Sequence, residues 1–358
     1  MDIPINTTDI SSSASPVVHQ PWMQYVFLAI DVILFFTIII GNTLVILSVA
    51  LSSRLQTPTY IFVASLACAD LFVGVVCIPV DAVMALGFVQ VTPWTCLVGS
   101  SMIMAMSVCS TMHLTVIAYD RYLAISNPLM YRDKMESKRV VGFIVFSWSM
   151  AVFFGVSPIL GWNWLDQYET PYCDLLYVQA LSIRITVIVL CVLVPMNMMG
   201  YMYFTMFRVA MKASKQIAAL NPSTIAQQYP NTAHSSNRRS TLKRDLKAAK
   251  TIAIILGCFI LAWNPASAIT VIDIFFKDTD KLLIYELVFY KMAFSNSAMN
   301  WLIYGFRNRD FRFMFMKLIG KVFRCKCWQD RVNKANNKLN VVTFISTSQL
   351  DDNIPATG

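Results

Sequence analysis

Seven charged side chains stand inside, or at the ends of, long apolar stretches of this sequence: Asp31, Asp70, Asp81, Asp120, Arg121, Arg184 and Lys291. Charges in apolar surroundings are costly unless they find partners or water, so they mark switches, ion sites or ligand contacts. The chemistry on offer is electrostatic. His113 is a lone imidazole in an apolar run, and no nucleophile–base pair or metal-ligand spacing accompanies it, so no enzyme activity is expected. The sharpest cluster is Asp120-Arg121-Tyr122, which follows 23 uncharged residues counted from Cys96. A helix of that length rises about 35 Å, enough to cross a bilayer, and leaves Arg121 at its exit beside an acid that can pair with it.

The elements that must hold these charges are read from composition. The chain has 358 residues, 56% hydrophobic and 14% charged. A soluble domain carries roughly 25% charged residues, so the deficit argues for a membrane protein. Seven apolar runs, 24–51, 58–86, 94–126, 139–160, 178–211, 247–276 and 282–306, predict seven membrane helices. With the N-terminus outside, only Lys277 and Lys281 fall in outer loops and Arg184 and Lys291 within helices; every other Lys and Arg faces the cytoplasm. The net charge of +9 therefore reports topology and contact with lipid headgroups, and implies no nucleic acid. Residues 1–21 are polar, so the first apolar run is expected to direct insertion. Asn6 opens a glycosylation sequon in the expected extracellular segment, 1–23.

Cysteines sort by the same topology. Cys68, Cys77, Cys109, Cys191 and Cys258 lie in helices as small apolar residues. Cys96 and Cys173 are the two on the outer, oxidising side, and are expected to form a disulfide. Cys325 and Cys327 follow a basic amphipathic stretch, 309–323, expected to lie on the inner leaflet; they are either palmitoylated or free cytosolic thiols. The expected organisation is a seven-helix domain over 24–306 with a disordered inner loop near 213–243. An amphipathic segment over 307–328 and a disordered tail over 329–358 complete it. Thr343, Ser346, Thr347 and Ser348 are phosphorylation candidates in that tail.

In order along the helices, Asn42, Asp70, Cys96, Asp120-Arg121-Tyr122, Trp148, Cys173, Pro195, Tyr203, Trp263, Pro265, Asn300 and Tyr304 form a set that resembles the rhodopsin-like (class A) G-protein-coupled receptors. The resemblance implies an all-α membrane protein, a seven-transmembrane helix bundle plus an amphipathic inner-surface helix, at the plasma membrane. It implies a small-molecule ligand outside and a heterotrimeric G protein inside, with arrestin and a receptor kinase acting through the tail. Helix 6 would swing outward on activation. The inner switch would comprise Asp120, Arg121, Tyr122, Tyr203, Asp245 and Tyr304, with Arg121 held at rest by Asp120 and Asp245. Two acids near one arginine across a helix gap make a pair that opening breaks, a bistable element. Asp70, Ser110, Asn296, Ser297 and Asn300 match the family's sodium-site positions; a protonated, water-bridged Asp70 is the other reading, and no cofactor is required.

The ligand pocket implied by the resemblance comprises Asp81, Ile103, Met104, Ser107, Leu175, Arg184, Val187, Trp263, Thr270, Tyr290 and Phe294. With Asp81 on one side and Arg184 on the other, it would suit a polar or zwitterionic molecule, nucleoside-like or amine-like; Arg184 snorkelling to headgroups is the alternative. Pro158 to Asn163 and the entry to helix 6 at Arg239 to Lys250 resemble the adenosine receptors. Their purine-binding positions are changed here, to Leu175, Leu176, Thr270 and Phe294. Ile103 stands where amine receptors carry an aspartate, and Phe294 where opsins carry the retinal lysine. Trp301 replaces the proline of the helix 7 motif, which restores a backbone N–H, and Thr111 replaces a branched aliphatic residue. Asp31 and Lys291, at nearly equal heights above Asn42 and Asn300, either pair across helices 1 and 7 or snorkel separately. A transporter or channel using the intramembrane charges is the rival from another class.

Overall fold

The computed structural model describes residues 21–86, 92–167, 173, 178–219, 254, 257–265, 267–269, 271–272 and 279–323. The helices, in order, are α1 (Pro21–Leu51), α2 (Pro58–Phe72), α3 (Ile78–Leu86), α4 (Pro93–Ser126), α5 (Pro128–Lys134) and α6 (Ser137–Val156). They continue as α7 (Leu181–Val187), α8 (Val194–Ala219), α9 (Gly257–Ile269), α10 (Thr279–Arg307) and α11 (Arg309–Phe323). Among the described residues the only extended pairing is one antiparallel bridge, Asn163 to Gln179. The chain is an all-α membrane protein.

Among the described residues, five spans are long and apolar enough to cross a membrane: Trp22–Leu51, Pro58–Val83, Pro93–Ser126, Ser137–Val156 and Leu181–Val209. Helix α9 is apolar but shorter as described. Helix α10, with 29 residues, rises about 43 Å yet carries Asp280, Lys281, Glu286 and Lys291 in its first half. Proline sets several starts: Pro58, Pro93 and Pro128 each occupy the first turn of a helix, where a missing N–H costs nothing. Thr92 caps α4 by accepting the Thr95 N–H at 3.2 Å.

Two spans widen into π-helical turns, Val73–Cys77 between α2 and α3, and Ile188–Leu193 between α7 and α8. Pro79 and Pro195 stand two residues after their ends, and each removes the hydrogen bond that the carbonyl four residues earlier would accept. The kink expected at Pro79 is thus realised as a wider turn that re-aims the helix above Asp70. Helix α10 runs unbroken through Trp301 to Arg307, as the restored N–H allows.

Helix α4 is the axis of the bundle. It packs on α2, α6 and α8, and Ile117 and Cys109 on it are fully buried. Close approach to α6 needs Gly155, where an added Cβ would lie 2.6 Å from that of Ala105. At the Arg121 end the core gathers Phe62, Ile117, Met199, Phe259, Tyr304 and Phe311 from distant parts of the chain. Helix α11 joins it through Phe311, Met314 and Phe315, a spacing of three and four that makes one helical face, while Arg312, Lys317 and Lys321 stay outside the core.

Two expectations shift. Helix α8 continues to Ala219, so the segment read as a disordered linker from about 213 begins as helix. Cys68 is exposed on the bundle surface and so is no interior packing residue, whereas Cys77, Cys109 and Cys191 are buried. Asn6, Leu175, Asp245, Thr270, Cys325, Cys327 and the tail over 329–358 lie outside the described residues.

Candidate functional site

Three polar assemblies sit at different depths of the bundle, and the first is built on the exit of α4. Asp120 is fully buried, and Arg121 binds it through Nη2 at 2.7 Å and Nε at 2.8 Å. Two further groups hold the same carboxylate. Thr59, in the first turn of α2, donates to Oδ2 at 2.6 Å, and Tyr131 on α5 donates to Oδ1 at 2.9 Å. Arg121 also donates to the Thr59 hydroxyl. Burial pushes the Tyr131 phenol up to about 12, so it stays protonated and keeps its role as donor. Tyr203 and Tyr304 lie in the same end of the bundle, their hydroxyls buried without a hydrogen-bond partner among the described residues. The half-buried Tyr122 packs against the same core. Sequence reading found the pair but missed Thr59 and Tyr131, whose residue types are unremarkable and whose separation from Asp120, 61 residues for Thr59, hides the contact.

The second assembly surrounds Asp70, which is fully buried. Asn300 donates its Nδ2 to Asp70 Oδ2 at 2.9 Å, and Asn42 ties α1 to α10 by donating to the Ser297 carbonyl at 3.1 Å. Among the described residues, four buried oxygens here lack hydrogen-bond partners: Asp70 Oδ1, Ser110 Oγ, Asn296 Oδ1 and Asn300 Oδ1. Buried acceptors left unmet in this way are expected to hold water or a cation. An oxygen-only donor set with one carboxylate matches a hard, weakly charged cation.

The third assembly lies toward the end that carries the Cys96–Cys173 disulfide. Lys291 bridges both oxygens of Asp31, at 2.7 and 2.8 Å, and also donates to Asp81 Oδ2. All three side chains are buried, at 3–5% exposure, so α1, α3 and α10 are tied by one cation between two carboxylates. The pairing of Asp31 with Lys291 is as the heights along the helices predict. Asp81 is a correction: it faces Lys291, not Arg184, and does not line the open cleft on which Arg184 stands. The π-turn at Val73–Cys77 shifts its angular position from that of a regular helix.

That cleft, about 120 Å³, is lined from α4, α7, α9 and α10. Of the expected pocket residues, Ile103, Met104, Ser107, Arg184, Val187, Trp263 and Tyr290 line it. Phe294 instead lines a smaller neighbouring cavity that reaches Ser110 and Asn296. Ser100, Gln179 and Ser267 also line the cleft and were missed; Gln179 is brought in by its bridge to Asn163, a contact with no local sequence signal. Thr111 forms part of the floor, its hydroxyl donating to the Ser107 carbonyl at 2.9 Å. His113 is a core residue: it bonds Ser65 Oγ at 2.8 Å and the Cys109 carbonyl at 2.8 Å, and Trp148 donates to the same serine.

Among known proteins, the family model for "7 transmembrane receptor (rhodopsin family)" matches residues 41–304 of this chain. The chain is 32% identical to adenosine receptor A2b of Mus musculus over 321 residues, covering 84% of this chain and 91% of the relative. It is 30% identical to adenosine receptor A2b of Homo sapiens over 321 residues, with the same coverage. With adenosine receptor A2a of Homo sapiens the identity is 32% over 310 residues, covering 82% of this chain and 72% of the relative.

Proposed function

Because this chain belongs to the rhodopsin family of seven-transmembrane receptors, it is a G-protein-coupled receptor of the plasma membrane and not an enzyme, and we propose that a small molecule entering the cleft controls the Arg121 cluster through α4. The observation that carries this reading is one of continuity. Ser107 and Thr111 line the cleft, and Arg121 lies ten residues beyond Thr111 on the same helix, a rise of about 15 Å. Trp263 and Phe259 on α9 touch the cleft and pack with tilted rings, centroids 6.2 Å apart, and Phe259 reaches the core that also holds Tyr203 and Tyr304. A ligand that repacks this floor biases the α9 position, and with it access to Arg121.

In this reading the disulfide end faces outside and the Arg121 end faces the cytoplasm, an orientation supported by the distribution of Lys and Arg. Asp120, Thr59 and Tyr131 hold Arg121 in the resting arrangement, with Asp245 as a further resting partner. Asp70, Ser110, Asn296 and Asn300, with Ser297 beside them, would hold a sodium ion, whose charge would compensate the buried carboxylate and stabilise the resting bundle. The basic face of α11 supports contact with inner-leaflet lipids, and Cys325 and Cys327 beyond it are sites for palmitoylation. Glycosylation at Asn6, and recruitment of a receptor kinase and arrestin through the tail, complete the proposed set of modifications and partners.

The test is nucleotide exchange on a panel of purified G proteins with the receptor in nanodiscs. Exchange on at least one of them is expected. Silence on every member, with and without added ligands, would overturn G-protein control by this cleft and favour the transporter reading.

A further inference from the structure

We propose that Leu160, Trp162 and Trp164 seat the loop after α6 in the headgroup region of the outer phospholipid leaflet, and that this seat steadies the strand carrying Gln179 to the cleft. Contact with lipid rests only on the chain being a membrane protein; which leaflet it is, and the role of the cleft, rest on the receptor reading. Height along the membrane is the first ground. Helix α6 has 20 residues, a rise of about 30 Å, close to the thickness of the hydrocarbon core. Lys138 and Arg139 are exposed in its first turn, where cationic side chains meet headgroups, so Val156 reaches the opposite edge of the hydrocarbon. No charged residue occurs between Arg139 and Asp166. The chain just past Val156 therefore enters the headgroup region still uncharged.

Continuity with the lipid-facing surface is the second ground. The Leu160 N–H donates to the Val156 carbonyl at 3.1 Å, so the helical path carries on past the last regular turn. Val152, Val156 and Leu160, each four residues apart, thus share one face, and all three are exposed, Leu160 by 81%. An exposed apolar row on a membrane helix faces lipid, and this one runs to the foot of the loop. The loop itself supplies the third ground. The Trp164 N–H donates to the Val178 carbonyl at 3.2 Å and the Ala180 N–H to the Trp162 carbonyl at 3.1 Å, on either side of the Asn163–Gln179 bridge. Side chains alternate along a strand and match across it, so Asn163 and Gln179 share one side while Trp162 and Trp164 take the other. Gln179 is buried and lines the cleft, whereas both indoles are exposed. Asn163 closes the loop from within: its Nδ2 donates to the Pro158 carbonyl at 2.7 Å, and its Oδ1 accepts the Leu165 N–H at 3.1 Å. That closure does not need the two indoles. An apolar ring with one N–H donor fits the boundary between acyl chains and headgroups, which satisfies both of its parts.

Fluorescence of the full-length receptor in nanodiscs tests the seat. The chain has eight tryptophans, so the signal of this pair is the difference between wild type and the variant with Trp162→Phe and Trp164→Phe. Phosphatidylcholine brominated high on the acyl chain is expected to quench that difference signal strongly, lipid brominated near the chain end less, and aqueous iodide little. Either single variant gives the same comparison, so poor folding of the double variant leaves the test intact. Strong quenching by iodide, stronger quenching by the chain-end label, or no quenching by any of the three would overturn the seat, placing the indoles in water, in deep hydrocarbon or against protein. Hydrogen exchange reads the hold on Gln179. Peptides carrying the Trp164 and Ala180 amides should exchange about 10-fold faster in the variant with Trp162→Ser and Trp164→Ser, and an unchanged rate would overturn that hold. Neither readout uses a G protein, so failure of the seat leaves the receptor reading standing, and silence of every G protein leaves the seat standing.

Discussion

Lys291 on α10 grips both carboxylate oxygens of Asp31 on α1, at 2.7 and 2.8 Å, across 260 residues of sequence. Asp81 shares the same ammonium, so the group is two acids to one base. Loss of Lys291 strands two carboxylates inside the bundle, whereas loss of either acid leaves the lysine with a partner.

Stability should reflect that asymmetry. Lys291→Met is expected to cost about 3–5 kcal/mol, the scale for breaking a buried pair, and Asp31→Asn distinctly less. The triple variant with Asp31→Asn, Asp81→Asn and Lys291→Met should recover most of the loss. Thermal unfolding of the purified variants checks this, and additive single effects would show that the three groups do not interact.

At the other end, Arg121→Ala should abolish G-protein exchange while surface expression and ligand binding persist. Thr59→Ala and Tyr131→Phe each remove one hydrogen bond to Asp120, worth about 1.5–3 kcal/mol to a charged acceptor, and so loosen the hold on Arg121. Basal exchange should rise in both. Unchanged basal activity in both variants would mean that their bonds to Asp120 do not restrain the switch.

Sodium dependence has a separate readout. Replacing choline with sodium at constant ionic strength should raise the thermal midpoint of the wild type, and Asp70→Asn should abolish that response by removing the site's one charge. An equal sodium effect in the variant would place the ion elsewhere.

Gly41 and Trp301 are interlocked. A Cβ at position 41 would collide with the indole, which also packs on Phe315 of α11 at 6.4 Å. Gly41→Ala should therefore destabilise by about 1–3 kcal/mol, the range for overpacking. Adding Trp301→Leu should restore much of it, because the shorter side chain vacates the site. A Gly41→Ala protein as stable as wild type would show that the indole moves aside freely.

Much of the architecture was legible in the chain itself. Length and apolarity place the membrane runs because a bilayer demands about 20 apolar residues to satisfy each spanning helix. Topology also selected Cys96 and Cys173 as partners, and arithmetic along two helices brought Asp31 level with Lys291. These features come from rise per residue and from which side of the membrane is oxidising. Facing directions were decided only in the folded bundle. Two π-turns rotate the helical segments beyond them, so Asp81 meets Lys291 in an assembly apart from the cleft that Arg184 lines. Thr59, Tyr131 and Gln179 reach their sites through contacts between distant elements, and a threonine, tyrosine or glutamine announces no such role by type. Sequence determined at which depth along its helix each residue lies; the angular position of each side chain, on which burial and pairing depend, came from tertiary packing.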